Sequence, residues 1–198
     1  MIKIALFASG NGSNFEVIAE YLGHTNHSVS CLICDNPDAY VLQRARKFNI
    51  PYHIVDYSTH SRREAEAEIV KILTSYGVEF IVLAGFMRIL TEYILDAYPK
   101  KIINIHPSLL PNYPGVDSIQ KSYYSNDSRL GITIHWVDKG VDTGPIILQK
   151  SFERNGEESL EEIEARIHEL EHTYYPIVIK NILDGMERKK EETPRRKI

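Results

Sequence analysis

From Ile2 to Ile105 short apolar runs alternate with stretches of helical periodicity, and no other feature of the chain restricts its fold as much. Ile2 to Ala8 is apolar and stops at Ser9-Gly10-Asn11-Gly12-Ser13-Asn14, after which Phe15, Ile18, Ala19 and Leu22 recur at the spacing of one helix face. The grammar then repeats. Ser28 to Cys34, Tyr52 to Val55, Phe80 to Leu83 and Ile102 to Ile105 read as strands, separated by helices over Ala39 to Phe48, Arg62 to Tyr76 and Leu90 to Tyr98. Apolar strands spaced by helices belong in a parallel sheet joined by right-handed crossovers.

After Ile105 the rhythm changes. Three prolines between Pro107 and Pro114 break any helix there. Gly131 to Val137 alternates with period two, and Ile146 to Lys150 does so less cleanly, so this pair reads as antiparallel strands joined by the loop Asp138 to Gly144. Ser159 to Leu183 offers an amphipathic helix with Ile163, Ile167, Leu170, Tyr174, Ile177 and Val178 on one face. The expected architecture is α/β, a mostly parallel twisted sheet with helices on both faces and an antiparallel C-terminal portion. One domain should span residues 1–186, with a phosphate-binding half in 1–100 and a catalytic half in 101–186. The charged segment 187–198, which carries Pro194, is expected to be a flexible tail.

Composition excludes several function classes. With 198 residues and 43% hydrophobic content the chain can bury one good-sized core. A net charge of −4 without a dense basic stripe argues against a nucleic-acid partner but leaves a small anionic substrate open. Cys31 and Cys34 lie within one strand-like run, and no second pair completes a zinc site, so they read as core thiols of a reducing cytosol. His168 and His172 are four apart on a helix but lack the companion Glu of a zincin motif, so no metal is expected. The start lacks the apolar core of a signal peptide, and no run of about 18 apolar residues is present to span a bilayer. A cytoplasmic protein without a membrane partner, monomeric or homodimeric, is the expectation.

The segment Ser9 to Asn14 leaves a strand and opens a helix, where backbone N–H groups and the helix dipole favour an anion. Gly10 and Gly12 fit the first two positions of a dinucleotide fingerprint, but Phe15 takes the third, and no Lys follows to make a Walker loop. A monophosphate fits better than a dinucleotide. A tight turn capped by Ser13 or Asn14 accounts for the same residues without any ligand.

If the sheet is parallel, ligands bind beyond the carboxyl ends of its strands, where Gly12, Arg88, Asn104 and His106 all fall. The Asn104 amide can stabilise a developing oxyanion, a donor of the kind whose loss costs about 3–4 kcal/mol of barrier. His106 can supply a further donor or a proton. Asp142, on a Gly-flanked loop, can hold that imidazole charged and collect, through it or a water, the proton shed by an attacking amine. Each has a bland alternative as a strand-end amide, a packing residue or a turn residue. His135, between Ile134 and Trp136, reads as a hydrogen-bonding support to this group rather than a direct participant.

In combination and order, four segments resemble the phosphoribosylglycinamide formyltransferases, a folate-dependent family of purine synthesis. They are Ser9 to Asn14, Leu83 to Leu90, Asn104 to Pro111 and Asp142 to Pro145, and the likeness runs over nearly the whole length. It implies a single-domain, Rossmann-like formyltransferase fold. It also implies formyl transfer from 10-formyltetrahydrofolate, as cosubstrate and without metal, to the amine of 5-phosphoribosylglycinamide, so that the partners are small molecules. Carried over, Gly12, Ser13 and Asn14 bind the substrate phosphate, with Glu171 near the ribose. Met87, Arg88, Ile89 and Leu90 line the folate pocket together with Asn104, and Arg63 pairs with a folate carboxylate. The loop Asp138 to Asp142 receives the pterin through backbone groups, and Asn104, His106 and Asp142 form the catalytic trio. One departure stands out: where the family has a His four residues after the Gly of the Pro-Gly pair, this chain has Ile119. Methionyl-tRNA formyltransferase and formyltetrahydrofolate hydrolase share the trio, but they resemble longer chains with a second domain. A hydrolase, a formyltransferase with another acceptor, and a non-catalytic sensor on the same fold remain the alternatives.

Overall fold

Apolar strands must pair all of their backbone polar groups once they leave water, and here they do so in one sheet. The computed structural model describes residues 1–192. In chain order the elements are β1 (Lys3–Phe7), α1 (Ser13–Gly23), β2 (Ser28–Cys34), α2 (Val41–Lys47), β3 (Tyr52–Ile54), α3 (Arg62–Tyr76) and β4 (Phe80–Leu83). There follow α4 (Glu92–Ala97), β5 (Ile102–His106), α5 (Ser118–Tyr123), β6 (Arg129–Trp136), β7 (Ile146–Glu153) and α6 (Leu160–Glu192). The seven strands lie in the order β3-β2-β1-β4-β5-β6-β7. Pairing is parallel from β3 through β5 and antiparallel for β5 with β6 and β6 with β7. The strand order reverses between β1 and β4, and this switch point opens a crevice at the carboxyl ends.

Burial on both faces explains why β1 and β4 read as continuous apolar runs. Ile4, Leu6, Phe80 and Val82 face α1 and α6, packing with Phe15, Ile18, Tyr175 and Ile179. Ala5, Phe7 and Ile81 face the other way, against Ile69 and Leu73 of α3 and Ile94 of α4. Each fully buried side chain of this size contributes roughly 1.5–3 kcal/mol from removal of apolar surface from water. Local signals agree with the packing. Ser61 and Glu64 form a reciprocal capping box at the start of α3, and Gly77, with φ of 67°, ends it in the left-handed conformation.

Two elements differ from expectation. No helix is evident in the sequence between Pro114 and Gly131, yet α5 occupies Ser118–Tyr123; its six residues are too few to display a period. Segment 187–192 continues α6 instead of forming a flexible tail. Glu, Arg and Lys are good helix formers, and tertiary contacts hold the extension: Glu187 pairs with the Met1 amino group and accepts from Asn26 at 2.7 Å, while Lys190 pairs with Glu79. The remainder of the expected tail, 193–198, lies outside the described residues. No helix among the described residues is long and apolar enough to cross a membrane.

The fully buried Tyr175 ties α6 to the sheet just beneath the crevice, its hydroxyl donating to the Leu83 carbonyl at 2.8 Å and lying 3.4 Å from that of Ile103. Replacing Tyr175 with Phe keeps the ring and strands both carbonyls. The expected cost is about 1–2 kcal/mol of unfolding free energy, read from urea titration, and an unchanged midpoint would show that the two carbonyls do not depend on it.

Candidate active site

The carboxyl ends of β1, β4 and β5, the β6–β7 loop and the first half of α6 enclose a cleft of about 660 Å³. Its walls bring together Gly12, Ser13, Asn14, Met87, Arg88, Ile89, Leu90, Asn104, His106, His135, Asp142 and Glu171. Arg63 is the predicted residue that does not line it. It sits in the first turn of α3, its guanidinium 5.9 Å from the centroid of the Tyr93 ring.

At one end, β1 gives way to the loop Ala8 to Gly12. Gly12 adopts the left-handed conformation, with φ of 78°, and serves as N-cap of α1 without any side-chain capping bond. Neither Ser13 nor Asn14 closes the turn, so the first-turn N–H groups of α1 stay available at the cleft wall. A β-carbon at Gly12 would lie 2.4 Å from Val41 Cγ2, which leaves glycine as the only residue that fits. Arg44 braces the loop from outside, donating to the Asn11 carbonyl and to its side-chain oxygen, both at 2.9 Å. Asn14 instead donates to Glu171 at 3.0 Å, and the buried Glu171 also accepts from His168 Nδ1 at 3.0 Å. His168 was not singled out as a site residue from the sequence. The signal available was its position one turn before Glu171 on the same helix face.

At the other end, the segment after β4 forms an apolar ledge. Met87 and Ile89 are largely exposed along it, 70% and 50% respectively, while Leu90 is buried beneath. Three contacts fix the ledge: the Met87 amide donates to Ser9 Oγ at 2.8 Å, Arg88 Nε to the buried Asp35 carboxylate at 2.5 Å, and the Thr91 amide to buried Glu66 at 2.7 Å. Ile119, which stands where the resemblance leads one to expect His, also lines the cleft and packs against the core. Apolar surface therefore replaces an imidazole there.

Between these ends lies the trio. Asn104 and His106 alternate along β5 onto the same face, and the antiparallel register sets His135 of β6 directly opposite Asn104. Asp142 reaches them from the β6–β7 loop with φ of 55°, a strained conformation for a non-glycine residue. Its Oδ2 accepts the Gly115 amide at 2.8 Å and lies 3.3 Å from His106 Nδ1. Its Oδ1 lies 3.4 Å from the Asn104 amide nitrogen and 3.5 Å from His135 Nε2. His106 Nε2 faces the Tyr113 carbonyl at 2.8 Å, and its Nδ1 stands at ion-pair distance from Asp142. His135 differs. Its Nδ1 faces the Trp136 carbonyl at 2.9 Å, and its Nε2 stands between the Asn104 donor, 3.3 Å away, and Asp142. Burial alone pushes the Asp142 carboxyl up. The hydrogen bonds from His135 and the Gly115 amide, with the charges of His106 and His135, more than offset it and hold the group below the ordinary carboxylate value. The backbone groups of Tyr113 and Gly115 were invisible in the sequence because any residue supplies them. Among the described residues no group of three or more His, Cys, Asp or Glu side chains is gathered to hold a metal ion.

Residues 2–179 match the family model described as formyl transferase. The chain is 48% identical over 186 residues to a phosphoribosylglycinamide formyltransferase of Bacillus subtilis (strain 168), covering 92% of this chain and 95% of that protein. A phosphoribosylglycinamide formyltransferase of Haemophilus influenzae is 39% identical, with 96% and 92% covered. The crystal structure of glycinamide ribonucleotide transformylase 1 from Geobacillus kaustophilus superposes with a TM-score of 0.89 at 40% identity, over 92% of this chain and 99% of that one.

The depressed Asp142 carboxyl has a signed consequence for stability. A group whose value is lowered on folding stabilises the fold above its unfolded value, near 4, and that contribution fades as pH falls through the folded value. Asp142→Asn removes it. The variant should be less stable than the parent by about 1–3 kcal/mol at neutral pH, with the gap narrowing in urea titrations at pH about 3. A gap that stays constant across this range would show that the fold does not stabilise the Asp142 charge.

Proposed function

The chain belongs to the formyl transferase family, and from that premise we propose that it transfers the formyl group of 10-formyltetrahydrofolate to the amine of 5-phosphoribosylglycinamide. The products are N-formylglycinamide ribonucleotide and tetrahydrofolate, a step of de novo purine (IMP) biosynthesis in the cytoplasm. The observation that supports this most is one cleft holding an anion-ready helix start, an amide–imidazole–carboxylate group and an apolar ledge in that order. Formyl transfer to the amine of a phosphorylated substrate needs all three.

The folate brings the carbonyl carbon that the amine attacks, and the protein supplies the surroundings. Asn104 lines the cleft with its amide nitrogen beside Asp142 and His135, and in this reading that amide, with a His106 imidazolium beside it, stabilises the negative charge that develops on the formyl oxygen. Asp142 keeps that imidazolium in place and is the nearest base for the proton released by the attacking amine, directly or through a water. His135 steadies Asn104 and Asp142 and touches no substrate in this reading. Gly12, Ser13 and Asn14 receive the phosphate, with Glu171 beside the ribose. Met87, Arg88, Ile89, Leu90 and Asn104 receive the folate, the Asp138 to Asp142 loop its pterin. Arg63, exposed in the first turn of α3, is the cation that this reading assigns to a trailing carboxylate of the folate. The halves 1–100 and 101–186 share these tasks, since Glu171 works beside Asn14 and Met87 beside Asn104.

A steady-state assay with 10-formyltetrahydrofolate, following folate release with and without the glycinamide nucleotide, tests the reaction. Release that requires the nucleotide and yields its formyl amide supports the proposal; release without it makes the protein a hydrolase. His106→Ala should lower turnover by roughly 10²- to 10³-fold while nucleotide binding survives, and unchanged turnover would remove His106 from the chemistry. Gly12→Val should act chiefly on nucleotide KM, because it drives a side chain into Val41 and closes the helix start; a normal KM would refute the phosphate assignment.

A further inference from the structure

His106 is held at two points that differ in their support. Its Nδ1 lies 3.3 Å from Asp142, which is fixed in turn by the Gly115 amide and by its contacts with Asn104 and His135. Its Nε2 faces the Tyr113 carbonyl at 2.8 Å, and that carbonyl belongs to the loop 107–115, which forms neither helix nor strand. The near part of this loop is tied to the sheet. Thr133 Oγ1 donates to the Ser108 carbonyl at 2.7 Å and accepts the Leu110 amide at 3.0 Å, while Gln149 donates to the Leu110 carbonyl at 2.8 Å. The far end is tied through Gly115 to Asp142. Tyr113 lies between these ties with φ of 55°, a left-handed conformation that is rare for an aromatic residue and persists only where the surroundings hold it.

The group that holds it lies outside the active-site cleft. The Tyr113 hydroxyl donates to Asp127 Oδ2 at 2.7 Å, across to the loop between α5 and β6. Neither residue lines the cleft; both line a second cavity of about 240 Å³, together with Ser108, Asn112 and Ser122, so the ring is not packed solid on that side. A hydrogen bond to an ionised acceptor is short and roughly twice as strong as one between neutral groups, and here it takes the place of packing. We propose that Asp127 is a positioning residue for the reaction: through the Tyr113 hydroxyl it fixes the Tyr113 carbonyl, and through that carbonyl the ring of His106. This rests on the function proposed above and gives a part in it to two residues outside the cleft.

The surrounding groups leave Asp127 to this task. Among the described residues its carboxylate makes no ion pair; Arg129, two positions on, pairs with Glu153 and donates to Ser151 Oγ at 2.6 Å. Hydrogen bonding by Ser125 lowers the Tyr113 phenol, but the hydrogen bond to Asp127, burial and the Asp127 charge raise it further, so the hydroxyl keeps the proton that it donates.

The test compares Asp127→Ala, Asp127→Asn and Tyr113→Phe in the full chain. Removing the carboxylate or the hydroxyl should lower kcat roughly 10- to 100-fold, the scale of a reacting group displaced by about 1 Å, with both KM values near wild type because neither residue lines the cleft. Asp127→Asn keeps an oxygen that accepts the tyrosine hydroxyl and should restore most of kcat. Placed in a His106→Ala background, Asp127→Ala should cost nothing further, since the group it positions is gone. A general loosening of the fold would lower kcat in both backgrounds, so equal losses in the two overturn the proposal. Wild-type kcat in Asp127→Ala or Tyr113→Phe, or an Asp127→Asn variant as impaired as Asp127→Ala, does the same. The ring ¹⁵N resonances of His106, identified in labelled protein by their loss in His106→Ala, separate the two levels of inference. They should shift in Asp127→Ala and Tyr113→Phe and return in Asp127→Asn. Shifted resonances in a protein that forms no formyl amide keep the hold of Asp127 on His106 while sinking the reaction; unchanged resonances sink that hold whatever the reaction.

Discussion

A buried carboxylate is tolerated only where other groups neutralise it and complete its hydrogen bonds, and Asp142 meets that condition by drawing four segments of the chain together. Gly115 approaches from the loop after β5, Asn104 and His106 from β5 itself, and His135 from β6. The left-handed backbone at Asp142 is the local cost of reaching this position, and the contacts it gains outweigh it. The strands β5 and β6 are already held by the sheet, and Asp142 ties its own loop and the loop after β5 to them. The geometry at the centre of the cleft therefore rests on the sheet and on this one carboxylate together.

The change from parallel to antiparallel pairing serves the same end. A parallel strand beside β5 would need a crossover helix above the site, whereas the antiparallel β6 arrives from the far side and places His135 across from Asn104. Its hairpin partner β7 then returns through the Asp142 loop, which ends at the open side of the crevice. Beneath, Tyr175 of α6 closes the carbonyl ends of β4 and β5. Asn104 and His106 thereby stand on strands fixed on both sides, which suits groups that must hold a transition state within a few tenths of an ångström.

Much of this was legible in the chain. β1 and β4 were readable because strands buried on both faces must be largely apolar, whereas β6 announced itself by the alternation of Leu130, Ile132 and Ile134 with Thr133 and His135, polar residues that the fold buries as well. What stayed hidden had no side-chain signature. α5 is too short to show a period, and the extension of α6 to Glu192 depends on Met1, Asn26 and Glu79, contacts distant in sequence. At the site, side chains were identifiable by their chemistry, but the Tyr113 carbonyl and Gly115 amide that help position His106 and Asp142 are backbone groups that any residue provides. Arg63 shows the opposite limit: a residue type suited to a carboxylate gave no information on whether it would line the cleft, and it does not.

The two ends of the cleft solve different binding problems, and the solutions explain its asymmetry. A folate is broad and partly apolar, so under the proposed function a ledge with exposed Met87 and Ile89 would capture it through removal of surface from water, with Arg88 held by Asp35. A phosphate is compact and heavily solvated, so it calls for directed N–H groups in place of bulk, which on the proposed function the start of α1, free of a side-chain cap, would supply. Both binding energies are collected remote from the reacting carbon. Spent on alignment, they would hold amine and formyl group in register over Asn104 and His106, where a displacement of about 1 Å can cost a hundredfold in rate.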